Sequence, residues 1–210
     1  MSTDFKTFLL LLPILLASMA AHELAHGYAA FRLGDRTAQL LGRLSPNPLR
    51  HFDPLGTFMF VATFWILTPP YIFGWAKPIP VVPGNLRRPQ RDMAIVAAAG
   101  PAVNFVLAIL FAALIVHAQP SGLVDRALVY AFASNVILGL FNLLPIPPLD
   151  GSRIVGAFMD RSTYLRWMGL DQFGMIALIA LFLLLPNVAQ HALSGVYDPI
   201  SSAIVRVVGG

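Results

Sequence analysis

An all-α polytopic membrane protein is the fold class this sequence predicts, and three observations predict it. Hydrophobic residues fill 57% of the 210 positions and charged ones only 11%, less than half the roughly 25% typical of a soluble domain. Four apolar runs come close to or exceed the length that crosses a bilayer as a helix, about 20 residues. The 14 Lys and Arg lie scattered between those runs, as the positive-inside rule expects. The formal net charge of +4 is therefore no nucleic-acid signal, and the expected surroundings are the lipid bilayer. With no cysteine in the chain, thiol catalysis, zinc–thiolate sites and a disulfide scaffold are excluded.

The first run covers residues 5–31 and is interrupted only by His22, Glu23 and His26. Lys6, the apolar stretch and the small residues up to Ala21 resemble a secretory signal. Cleavage there would leave His22 with no helix to hold it, so the run is read as a retained span. Gly34-Asp35 ends it. Residues 37–44 are expected to form a short strand, followed by a Pro-rich turn at 46–48. A fifth apolar run, residues 55–75, carries Pro69-Pro70 and is edged by Gly56 and Gly74. Those breakers suit a re-entrant or partly inserted segment. Residues 77–83 alternate Pro with apolar residues and read as an extended, β-like edge. The remaining spans are expected at 93–117, 127–144 and 173–188. The tail at 196–208 is weakly amphipathic and suits the interface. The whole chain, 1–210, reads as one transmembrane domain, with a core at about 5–153 and a C-terminal helix and tail at 171–210.

His22-Glu23-Leu24-Ala25-His26 is an HExxH motif inside an apolar helix. Histidines at i and i+4 stand on one helix face, so their imidazoles can grip one ion, with Zn²⁺ the best match. Glu23 can then serve as general base towards a water activated there. The competing reading is a helix with three polar residues and no function. Each ionisable residue inside a bilayer costs at least about 2.5 kcal/mol, which makes three of them in five positions hard to explain as packing. A catalytic zinc site commonly has three protein ligands and one open position. Glu23 is the only Glu in the chain, so the third ligand is an Asp or a remote His. A metzincin extension is absent, because position 32 is Arg32. The best-placed candidate is Asp150. It follows Asn142-Leu-Leu-Pro-Ile-Pro-Pro-Leu, where three prolines break the third span and free backbone at membrane depth. Asn142 and Asn104 are weaker candidates for holding the oxyanion. Asn104 and Asn135 also suit interhelical hydrogen bonds. His51 reads first as an interfacial turn residue, with a place on a water route as the competing role. Asp171 and Asp198 read as helix-start residues.

These motifs resemble the site-2 proteases, the intramembrane zinc metalloproteases of peptidase family M50. The resemblance rests on HExxH, on Gly100-Pro101-Ala102-Val103-Asn104, and on the stretch from Asn142 to Gly151, in that order. Gly74-Trp75-Ala76-Lys77-Pro78 and Arg87-Arg88-Pro89 add to it, so about residues 20–153 are covered. It implies a small bacterial or archaeal type without a PDZ or CBS domain. It also implies one zinc held by His22, His26 and Asp150, Glu23 as base, and Asn142 near the substrate. The implied substrates are transmembrane proteins cut within or near the membrane, as in regulated intramembrane proteolysis. The alternative is a metal-ion transporter or a metal-binding membrane protein without protease activity. A transporter wants ligands on both sides of the bilayer and a continuous polar path, whereas these candidates gather in two motifs. The prenyl-protein-processing type of membrane protease uses a Glu ligand, which the single Glu excludes.

Topology follows from depth. The two motifs lie near the C-terminal ends of their runs, so the helices carrying them should be parallel, with an even number of crossings between them. A dipping segment at 55–75 satisfies this and a full crossing does not. With the dip, the basic residues divide 11 to 3 between the two sides; with a full crossing they divide 8 to 6. The positive-inside rule favours the first. The expected protein has four spans, an active site towards the cytoplasmic side of the cell membrane, and both termini outside.

Overall fold

In the computed structural model, which describes residues 5–67 and 74–209, nine α-helices run in order among those residues. They are α1 (Phe5–Leu33), α2 (Thr37–Leu40), α3 (Pro54–Ile66), α4 (Pro89–Ala118), α5 (Gly122–Asn142), α6 (Asp150–Gly156), α7 (Arg161–Met168), α8 (Asp171–Leu184) and α9 (Pro186–Val207). Three of them, α1, α4 and α5, are long and apolar enough to cross a membrane. A fourth span exists if α7 and α8, bent by 46° at their junction, count as one. The protein is an all-α polytopic membrane protein.

Buried polar contacts fix the directions of the long helices. Thr7 on α1 meets Arg126 and Tyr130 on α5, at 3.3 and 3.4 Å, and Ser18 further along meets Asn135 at 2.9 Å. Both sets of numbers rise together, so α1 and α5 are parallel. Against α4 the order reverses: His22 reaches Asn104 and His26 reaches Val96. The depth condition on the two motifs is therefore satisfied by the packing of these three helices.

The connection from α1 to α4 begins and ends in one place. Gly34, at φ +117°, closes α1, and the Arg87 amide donates to the Leu33 carbonyl at 3.4 Å. Between these points α3 goes in and the chain comes back. Its start is capped by Asp53, which accepts the Gly56 amide at 2.7 Å with Pro54 at the first helical position. By Gly74 and Trp75 the chain again lies against Gly56, so closely that a side chain on Gly56 would strike the Trp75 carbonyl. At 13 residues, α3 is about 20 Å long, shorter than a full crossing. The Pro69-Pro70 break lies outside the described residues.

Three expectations need correction. Residues 37–44 form no strand. Asp35 accepts the Thr37 amide and hydroxyl and starts one helical turn, α2, which Gly42 at φ +62° helps to end. Residues 77–82, by contrast, lie in no helix and in no ladder among the described residues, in keeping with the unpaired edge expected there. The C-terminal tail is a 22-residue helix, α9, whose Tyr197, Ile200 and Ile204 pack on Ala108 and Ala112 of α4 and Phe132 and Val136 of α5. Asp198 consequently lies inside a helix and not at its start. Asp171 does open α8, where it pairs with Arg153 of α6.

Candidate metal centre

α1 carries His22 and His26 inwards, and α6 begins with Asp150. The turn between α5 and α6 is tight. A side chain on Gly151 would strike the Leu143 and Leu144 carbonyls, so the Asp-Gly pair lets α6 start directly beneath the end of α5. Trp167 Nε1 donates to the Ser152 carbonyl at 3.1 Å, and Gln90 Nε2 donates to the Gly156 and Met159 carbonyls at 2.7 Å each. These bonds tie α6 to α7 and α4.

His22 Nε2, His26 Nε2 and Asp150 Oδ2 converge. The edges of the triangle they form are 3.0, 3.1 and 3.2 Å. Ligands at about 2.0–2.1 Å around a tetrahedral zinc stand about 3.3 Å apart, so the triangle is close to the size such an ion needs. Gly100 on α4 lies against its His22–His26 edge. A Cβ there would press on both Nε2 atoms.

Proton positions follow from the neighbours. The Asn135 amide nitrogen is fixed by the Ala131 carbonyl, to which it donates at 2.8 Å. Asn135 Oδ1 must then accept from Asn104 Nδ2 at 2.9 Å, which turns Asn104 Oδ1 towards His22 Nδ1 at 2.6 Å. His22 Nδ1 is therefore the protonated nitrogen. His26 Nδ1 donates to the Val96 carbonyl at 2.7 Å. In the neutral imidazoles both Nε2 atoms carry bare lone pairs. They face one another and a buried Asp150 Oδ2 that has no hydrogen-bond donor among the described residues. Three electron-rich atoms in van der Waals contact repel unless a cation sits among them. The residues present fit a zinc ion, and no other group of three His, Asp or Glu side chains among the described residues comes together in this way.

Glu23 is one position round the helix from His22 and outside the triangle. Its Oε2 accepts the Ile79 amide at 2.7 Å. A cavity of about 1040 Å³, counting space open to the surroundings, borders His22, Glu23, His26, Asn142 and Asp150. Asn142 lies on its wall and turns its amide nitrogen back to the Leu138 carbonyl at 2.9 Å. Asn104 does not border it. It is fully buried, with its oxygen on His22 and its nitrogen donating to Asn135, so it stands behind His22 and not on the cavity wall. His51 is buried in the turn Pro48–His51, donates Nε2–H to the Ser45 carbonyl at 2.9 Å, and accepts the Lys77 amide at its own carbonyl at 2.7 Å. It does not border the cavity. The expectation that Asn104 and Asn135 bond between helices holds: they bond to each other across α4 and α5, and Asn135 reaches Ser18 of α1. Sequence reasoning missed that this chain ends on His22, and it missed the clearance at Gly100 and the Ile79 amide. Of these only Gly100 had a signal, a glycine beside a proline within an apolar span.

Comparison with known proteins agrees with this chemistry. The chain is 36% identical over 178 residues to "Putative zinc metalloprotease YwhC" of Bacillus subtilis, an overlap of 80% of this chain and 77% of that one. The chain belongs to peptidase family M50. The family's own model matches residues 117–186. "Putative zinc metalloprotease Rip2" of Mycolicibacterium smegmatis is 25% identical over 201 residues, 84% of this chain and 67% of the relative. "Putative zinc metalloprotease Rip3" of Mycobacterium tuberculosis is 33% identical over 153 residues, which are 70% of this chain but only 30% of that relative. No solved structure matches the chain. As an M50 member built of apolar helices, the protein is a membrane-embedded metalloprotease, and the family names imply zinc.

The Asn104 contact yields one expected result here. Asn104→Ala should leave the helices folded but weaken zinc binding roughly 10–100-fold, the usual loss when a ligand histidine's supporting partner is removed. Competition with a fluorescent chelator measures it, and an unchanged affinity would show that Asn104 serves packing alone.

Proposed function

We propose that the protein hydrolyses peptide bonds within or near transmembrane segments of membrane-protein substrates, as in regulated intramembrane proteolysis. The observation that carries this reading is the triangle of His22, His26 and Asp150 beside Glu23, at the edge of a cavity inside a membrane-spanning bundle. In it, His22, His26 and Asp150 hold one zinc, and Glu23 is the general base. Zinc held there would supply Lewis acidity, acidifying water and polarising the scissile carbonyl. Glu23 takes the proton of the attacking water and passes it to the leaving amine. Asn142, on the cavity wall, orients the substrate.

A substrate helix has no accessible carbonyl until it unwinds, because its backbone is internally bonded. The extended segment at residues 77–82 offers it an edge. The Val81 amide and carbonyl have no backbone partner among the described residues, and Val81 lines the cavity. Strand addition there predicts that Val81→Pro impairs cleavage, and unchanged cleavage would remove the pairing step. The 11-to-3 division of basic residues supports a site towards the cytoplasmic side of the cell membrane. A C-terminal fusion reporter read as cytoplasmic would contradict that orientation.

The test of the function is a comparison of membrane proteomes between the wild-type strain and a Glu23→Gln strain. One or more full-length membrane proteins should accumulate in the variant with their shortened forms missing. Identical proteomes under conditions in which the protein is expressed would count against the reading.

A further inference from the structure

We infer that the backbone amide of Ile79 is the positioning group of Glu23. This rests on the reading of Glu23 as base. In Pro78-Ile79-Pro80 two of three positions have no N–H, so Ile79 is the only donor the tripeptide has. That donor goes to Glu23 Oε2, 56 positions away in the chain, at 2.7 Å.

The approach is built from both sides. Glu23 and Gly27 are four residues apart and share a face of α1. The Ile79 side chain is buried against Gly27, where a Cβ would press on Ile79 and collide with Leu44. The bare Gly27 therefore lets the extended segment lie close enough to α1 for its amide to reach the carboxylate one turn earlier. The segment itself is held fast on each side of Ile79. The Lys77 amide donates to the His51 carbonyl at 2.7 Å. Arg43 donates to the Lys77 and Pro78 carbonyls at 3.1 and 3.3 Å. The Val82 amide donates to Asp35 Oδ2 at 2.7 Å, and Asp35 is held in turn by Thr37 and Asn85. Although burial pushes the Asp35 carboxyl up, the hydrogen bonds from Thr37, Asn85 and Val82 hold it below the usual carboxylate range. It therefore remains charged, and this clasp closed, at neutral pH.

A glutamate has three rotatable side-chain bonds, and His22 and His26 hold the helix but not this carboxylate. The Ile79 amide fixes one oxygen and leaves Oε1, which has no hydrogen bond among the described residues, to take the proton. The clasps at His51, Arg43 and Asp35 thus reach the reaction through a single N–H. Misplacement of a reacting group by about 1 Å costs on the order of 10²-fold in rate.

The experiment removes that N–H alone. The α-hydroxy acid counterpart of isoleucine is placed at position 79 by suppression, so that an ester oxygen replaces the amide nitrogen. The full-length zinc-loaded enzyme is assayed in lipid vesicles on a fluorogenic transmembrane peptide. The ester form should lose kcat on the order of 10²-fold while KM and zinc content stay near wild type. Ile79→Ala, which loses side-chain packing but keeps the amide, should lie much closer to wild type than the ester. Ile79→Pro gives a second way of deleting the donor. Wild-type kcat in the ester form, or an equal loss in Ile79→Ala, would overturn the inference. Cleavage surviving in Glu23→Gln would instead overturn the reading of Glu23 as base, so the two failures are distinguishable.

Discussion

Glu23→Gln is expected to lower peptide-bond cleavage by roughly 10²–10⁴-fold, the usual worth of a positioned general base, with zinc still bound at one per chain. The substitution keeps the shape of the side chain. A glutamine oxygen can still accept the Ile79 amide that Glu23 accepts at 2.7 Å, so the local fold has no reason to change. Only the capacity to take a proton is lost. Zinc should stay because Glu23 is outside the triangle formed by His22, His26 and Asp150. Parallel cleavage assays and metal analysis on the purified variant check both halves. A metal transporter would give a different pattern, since transport has no need of a base beside the ligands. Loss of zinc together with activity would instead assign Glu23 to metal binding.

Asp150→Ala is expected to strip the site of metal. His22 and His26 alone give two neutral ligands, and zinc sites rarely hold with fewer than three from the protein. Asp150 is also the only negative charge in the triangle. The affinity loss should exceed the roughly 10–100-fold that follows removal of a supporting partner, and cleavage should fall with it. Adding excess zinc should restore little. Retained stoichiometric zinc in Asp150→Ala would remove this residue from the ligand set. The loop that carries Asp150 should survive the change, because α6 is held through Trp167 and Gln90 rather than through the carboxylate.

What could be read from the sequence depended on how local its cause was. The pairing of His22 with His26 was legible because helix periodicity sets it. Asp150 was reachable because the single Glu excluded a Glu ligand and the prolines before Asp150 break a span at membrane depth, and the triangle brings that residue to both histidines. The dip at residues 55–75 was foreshadowed by glycines at its edges and by the sorting of basic residues. In the structure, Gly56 and Gly74 are where the descending and returning chains touch. At residues 37–44 the strand expectation went against composition, since Thr37 is the one β-branched residue and Ala, Gln, Leu and Arg favour helix, and Asp35 capturing the Thr37 amide starts the helical turn. Asn104 illustrates a different limit. Its role depends on the register of α4 against α1, 82 positions away in the chain, which no local pattern encodes. The Ile79 amide is backbone, so its partner could not be guessed from residue type at all. The 22-residue α9 was foreseen only as a short amphipathic tail because Ser, Asp and Pro interrupt its apolar face.

Hydrolysis in ¹⁸O-labelled water reads the reaction at the cleaved bond itself. Purified protein in lipid vesicles is given a transmembrane substrate that accumulates in the Glu23→Gln strain, and the fragments are read by mass spectrometry. Zinc-dependent hydrolysis by this site predicts ¹⁸O in the new C-terminal carboxylate, at a bond within or near the membrane segment. It also predicts loss of the fragments with a zinc chelator and with Glu23→Gln, and their return when zinc is added back to the wild type. Fragments that persist in the chelator, or intact substrate in the presence of zinc-loaded wild-type protein, would contradict it.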